Sequence, residues 1–242
     1  EGGTGDTASG AAPMARSLGL SYMQDGELEE AARQFEKYIE AAPDRPFGHA
    51  NLGLVRLWQG RTGAAERRVR RAMELAPDDP DVRLNLAAVL AATGRRDSAR
   101  SVLRGTLEER EGNLKSLYAL AELAAEGDGR SAREERATWL RRIVERAPAN
   151  LAARTELALA EAGLGNAGKA AEQLASIRRQ APELPAEVSD RLDRAIRRLE
   201  EEGDGEALSA VASFADRFRV TTTYQTAASA LRGPRRDLPG AV

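Results

Sequence analysis

A chain of 242 residues with 4% aromatic residues, no cysteine, a single histidine and a net charge of −2 excludes several classes of protein at once. Without Cys there are no disulfides or thiolate metal sites, and one His cannot build a multi-histidine metal site. The charge lacks the cationic excess a general nucleic-acid binder needs, and no apolar run reaches the roughly 18 residues that span a bilayer.

Residues 1–12 open with EGGTGDTASGAA, where Gly and small polar side chains cannot offset the entropy of ordering, so a flexible leader is expected. The start has no Met and no charged-then-apolar signal. It reads as the leader of a mature exported chain, left after removal of a signal sequence or next to a lipid-bearing Cys. That implies a periplasmic or otherwise exported protein, with peripheral or lipid-tethered membrane association open; the alternative is a trimmed, cytoplasmic fragment.

Helix-length segments with apolar positions at helical spacing then follow in pairs. The pair at 13–44 uses Leu18, Tyr22, Leu28, Phe35 and Ile39, and the pair at 47–78 uses Leu52, Leu57, Val69, Ala72 and Leu75. The pair at 81–112 uses Leu86, Leu90, Leu103 and Leu107 but ends on Glu111-Gly112 where the others end on Pro. At 113–150 the turn EGDGRSAREER carries about three extra residues, expected as a loop. The pair at 151–182 returns to register. Residues 186–218 read as a degenerate sixth pair, with Leu208, Val211, Phe214 and Phe218 on one side of its second helix. The tail at 219–242 is basic, with Thr223 a candidate N-cap for a short helix ending near Gly233.

These pairs repeat. Gly19 and Gly53, Gly26 and Gly60, Ala31 and Ala65, and Pro43 and Pro77 are each 34 residues apart, and Gly94 and Ala99 continue the series. A Gly at mid-helix admits close packing, a Gly at the turn supplies positive φ, a small Ala sits at the helix crossing, and Pro closes the unit. In these positions the chain resembles the tetratricopeptide repeat over roughly residues 14–182. The resemblance implies an all-α, right-handed superhelical solenoid of helix-turn-helix repeats, five clear copies with a capping pair.

It also implies a non-catalytic scaffold for protein partners, whose concave surface is lined by the first helix of each repeat. Carried over residue by residue, that groove comprises Arg16, Leu20, Met23, Ala50, Leu54, Leu57, Leu84, Ala88, Tyr118 and Glu122, with Ala91, Thr155 and Leu159 at further positions. Chaperone-binding members hold a peptide carboxylate with Lys, Asn and Arg at such sites. Here Leu20, Leu54 and Ala88 stand there, so an apolar or amphipathic segment is the expected ligand; packing between helices is the competing role. The expected setting is an accessory, assembly or stabilising subunit of an exported or membrane-associated complex, the alternative a regulatory arm of a larger enzyme or multidomain protein.

No catalytic, cofactor or metal site emerges. His49 falls where a packing aromatic is usual, and no GxSxG elbow or phosphate loop is present. The run Glu66–Arg71 (ERRVRR) reads as a solvated outward face in preference to a phosphate patch. In the tail, Tyr224 and Leu231 lie seven apart beside Arg232, Arg235 and Arg236, a pattern suited to anchoring on an acidic protein or lipid surface.

Overall fold

The computed structural model describes residues 6–201 and 204–231, all helices and turns. Its helices are α1 (Asp6–Asp25), α2 (Leu28–Ala41), α3 (Pro46–Trp58), α4 (Thr62–Leu75), α5 (Pro80–Ala92), α6 (Arg96–Glu109), α7 (Leu114–Ala125), α8 (Gly129–Arg146), α9 (Leu151–Gly163), α10 (Ala167–Gln180), α11 (Ala186–Glu201), α12 (Asp204–Arg219) and α13 (Thr222–Ser229). They fall into two compact units, one holding α1–α6 and the other α7–α13.

The repeated small residues act as the sequence implies. Gly26, Gly60, Gly94, Gly129 and Gly165 all have positive φ, between 74° and 84°, at the turn between paired helices. A side chain at Gly19 would come within 2.7 Å of the Phe35 ring, and one at Gly53 would collide with Val69. Ala31, Ala65, Ala99, Ala137 and Ala170 are completely buried on successive second helices. Three of the first helices, α5, α7 and α9, are opened by side-chain caps: Asp79 accepts from the amides of Asp81 and Val82, Asn113 from that of Ser116, and Asn150 from that of Ala153.

In the first unit each second helix packs on its own first helix, and α2 and α4 also pack on the first helix of the next pair. One apolar cluster joins Met23, Phe35, Leu52, Leu54 and Val55, with Leu20 and Ala88 packed against it. In the second unit a larger cluster runs from Leu151 and Leu174 through Leu192 to Phe214, Phe218, Tyr224 and Ala228.

Several expectations need correction. Helix α1 begins at Asp6, inside the stretch expected as a leader, because its alanines continue the helix upstream of Pro13. The extra residues of the fourth pair form no loop. They lengthen α8 to 18 residues against 14 in α4, α6 and α10. Four residues make about one turn, so the apolar face at Ala137, Leu140 and Ile143 stays in phase. Leu18 and Leu208 are exposed and do not join the core. The final pair is more than a sixth repeat, since α12 packs on α9 as well as on α11. Thr221, not Thr223, caps α13, its hydroxyl accepting from the Tyr224 amide at 3.2 Å, and the helix ends at Ser229.

Candidate functional site

The candidate groove positions divide by unit. In the first, Leu20 and Met23 of α1, Leu54 of α3 and Ala88 of α5 meet in one cluster, so positions 34 residues apart become neighbours. Met23, Ala50, Leu54 and Leu57 are buried and serve the core. Leu20, Leu84, Ala88 and Ala91 are half-buried, and Arg16 is exposed with its guanidinium 4.5 Å from the centre of the Phe47 ring. The accessible part of the face is therefore narrower than the full set of ten residues. It consists of Arg16, Leu20, Leu84 and Ala88, with Ala91 beside them.

In the second unit the equivalent positions are covered in part. Tyr118 and Thr155 are buried, while Glu122 and Leu159 are half-buried. The cover is the chain's own C-terminal segment, for α13 packs on α9 and against α12. Asn150, having capped α9 through its Oδ1, donates from Nδ2 to the Ala227 carbonyl at 2.8 Å. The Tyr224 ring meets Phe218 edge-on at 5.6 Å, and Phe218 stacks on Phe214 at 5.3 Å. Tyr224 and Leu231 are each 1% exposed. They belong to the chain's own core and are not available to a partner, which overturns their assignment as anchors. Arg232, Arg235 and Arg236 lie outside the described residues.

Beneath α13 is a group that the repeat pattern did not reveal. Glu156 of α9 is 4% exposed. Its carboxylate accepts from Arg136 at 2.8 Å, from both Nε and Nη2 of Arg219 at 3.0–3.1 Å, and from the Tyr224 hydroxyl at 2.7 Å. Burial alone pushes this carboxyl up, but the Arg219 charge, the Tyr224 hydrogen bond and Arg136 together hold it below its ordinary value. Burial and then the neighbouring Glu156 charge raise the Tyr224 hydroxyl, with a further contribution from Tyr118. Five residues on, buried Glu161 accepts from Arg141 at 2.9 Å and from Asn166 at 2.7 Å. Two acids within the apolar run LALAEAG and its upstream turn were the available signal, since carboxylates are seldom buried unless paired.

His49 has a structural place: it is 6% exposed and its Nε2 donates to the Pro43 carbonyl at 3.0 Å. Among the described residues no group of His, Asp and Glu could hold a metal ion. No helix among them is long and apolar enough to cross a membrane.

Sequence comparison matches the tetratricopeptide repeat over residues 56–123 and again, through a second family of the same description, over residues 7–46. The chain carries tetratricopeptide repeats. No curated protein sequence matches it significantly. Among solved structures, PilF of Pseudomonas aeruginosa is 16% identical and aligns over 93% of this chain and 99% of its own, with a TM-score of 0.66. PilW, a "widely conserved type IV pilus biogenesis factor", is 16% identical over 90% of this chain and 98% of its own, with a TM-score of 0.63. The O-GlcNAc transferase of Thermobaculum terrenum (a K341M mutant) is 23% identical over 57% of this chain but only 27% of its own, with a TM-score of 0.52. At these identities the likeness is one of fold: an all-α helical-repeat array, the architecture of a protein-interaction scaffold.

Proposed function

We propose that this tetratricopeptide-repeat protein is a non-catalytic assembly or stabilising subunit of an exported or membrane-associated complex, in the manner of a type IV pilus biogenesis factor. The observation that carries this reading is the half-buried apolar strip Leu20–Leu84–Ala88, bordered by Arg16, on the first helices of the first unit. A helical array presenting an accessible apolar strip suits an amphipathic helix from a partner subunit. The near end-to-end alignment with PilF and PilW supports the assembly role and, with it, a periplasmic setting. The alternative, a regulatory arm of a larger enzyme, has the partial alignment with the transferase in its favour.

The test uses substitutions the core tolerates. Leu54 is 3% exposed, so an acid there would unfold the first unit; Leu20 and Leu84 are only half-buried. The double variant Leu20→Glu/Leu84→Glu is expected to keep its helical circular dichroism and to lose the subunits that copurify with the tagged wild-type chain from its own cell envelope. Undiminished copurification would remove this face from the interface, and a tag found only in the cytosolic fraction would overturn the exported setting.

A further inference from the structure

Between α2, α3 and α4 of the first unit, sharing no residue with the apolar strip, the chain builds a cleft of about 520 Å³ lined by Glu36, Arg56, Arg61, Ala64, Arg67, Arg68 and Arg71. Its origin is legible in α4. Ala65, Val69 and Ala72 are completely buried at i, i+4 and i+7, which fixes the inward face of that helix. With that face fixed, Arg61, Ala64, Arg68 and Arg71, at i, i+3, i+7 and i+10, fall on a single flank, and Arg67 borders it. Glu66 and Arg70, from the same run, turn to the other flank, where Glu66 joins Arg70 at 2.5 Å and Arg95, just before α6, at 2.8 Å. The run that reads as a mixed, solvated face is thus sorted by helical phase into a neutralised flank and a cationic one.

The cationic flank is not balanced from within. Arg56 uses the only acid of the cleft, donating to Glu36 at 2.6 Å and to Gln59 at 2.8 Å. Arg61 reaches Glu29 only at 3.5 Å, and Arg71 turns to Glu74 at 2.9 Å and to the exposed Asp44 at 3.8 Å. Among the described residues Arg67 and Arg68 have no hydrogen-bond or ion-pair partner, although Arg68 is half-buried. Elsewhere the chain gives its arginines carboxylates, as with Arg136 and Arg141 on α8. Like charges held one turn apart repel, so a cluster without internal compensation is suited to an external anion. Guanidinium groups bind carboxylates in planar, two-pronged fashion.

We propose that this cleft binds an extended acidic segment of a protein partner, its carboxylates taken by Arg67 and Arg68 with Arg61 and Arg71 at the ends. Length decides between this and a single small anion. Ten residues of helix separate Arg61 from Arg71, or about 15 Å. That exceeds one phosphate group and matches about four or five extended residues at roughly 3.3 Å each. A net charge of −2 on the whole chain makes the attraction local to this cleft. The site is independent of the apolar strip, so the two readings can fail separately.

The probe is a fluorescein-labelled hexaglutamate peptide, followed by fluorescence anisotropy on the full chain. Saturable binding is expected, weakening as salt is raised from low to physiological strength. The variant Arg67→Ser/Arg68→Ser should lose about tenfold or more in affinity, the scale of one or two charged hydrogen bonds. The charge-retaining Arg67→Lys/Arg68→Lys should fall between it and the wild type. Arg197→Ser, at an exposed position on α11, should bind as the wild type does, and Leu20→Glu/Leu84→Glu should leave peptide binding unchanged. The proposal is overturned by absence of saturable binding, by equal loss with Arg197→Ser, by displacement of the peptide by pyrophosphate at equal charge concentration, or by cosedimentation with phosphatidylglycerol vesicles that the same serine variant abolishes.

Discussion

The first-helix faces of the two units are closed to different extents, although Glu122 and Leu159 stay half-buried like Leu20 and Ala88. In the first, the first-helix face leaves Leu20, Leu84 and Ala88 half-buried. In the second, α13 lies on α9, and Tyr118 and Thr155 are buried. The repeat pattern is alike in both; the difference is a further segment of chain, drawn in by a buried acid. Glu156 offers a desolvated carboxylate that only Arg219, Tyr224 and Arg136 together satisfy. Two of those three donors come from the last turn of α12 and from α13. The chain thus supplies its own ligand to one unit and leaves the other unit's face accessible.

Removing the cover has the largest effect. Deleting residues 220–242 strips the buried side chains of Tyr224, Ala228 and Leu231 from the second unit and leaves Glu156 without its hydroxyl partner. Losing one large and one medium buried side chain costs on the order of 5 kcal/mol. Hydrogen exchange should show α9 and α12 losing protection while α3 and α4 keep theirs, and binding of an apolar dye should rise. Unchanged protection of α9 would mean that α13 contributes nothing to the second unit.

A smaller effect comes from the buried carboxylate itself. Glu156→Ala leaves Arg136 and Arg219 without their shared anion, and breaking a buried pair from one side costs about 3 kcal/mol. The same group sets a pH dependence. Because its folded value lies below the ordinary 4.5, its stabilisation is present above that pH and is lost as the pH falls through the depressed value. Acid titration below about 4.5 should therefore open α13 in the wild type. In Glu156→Gln this part of the acid response should be missing; an identical acid profile in the two proteins would remove Glu156 as its source.

The smallest of these effects is confined to the first unit. Ala65 is fully buried, and α4 passes so close to Gly53 that a side chain there would strike Val69. Ala65→Leu should cost about 2 kcal/mol by overpacking and lower the protection of α3 and α4 without touching α13. Loss of protection in both units together would show them unfolding as one.

The helices, their pairing and the small residues at each crossing and turn follow from local and periodic features of the chain. Those features are positive φ at Gly26, Gly60 and Gly94, a buried Ala on each second helix, and caps such as Asp79. The extra turn of α8 escaped that reading, because one inserted helical turn preserves the apolar phase that a loop would have broken. Which faces remain accessible was decided only by tertiary structure. Nothing in the spacing of Tyr224 and Leu231 tells a partner's apolar surface from the chain's own, since either would accept the same side chains. The choice rests on Glu156, 68 residues away from Tyr224 in sequence, whose desolvation is relieved only when α12 and α13 reach it. The cationic cleft is decided in the same way. Five arginines become one wall only when α3 and α4 bring Arg56 beside Arg68 and Arg71, because a pairing between helices cannot be read from the phase of either one alone.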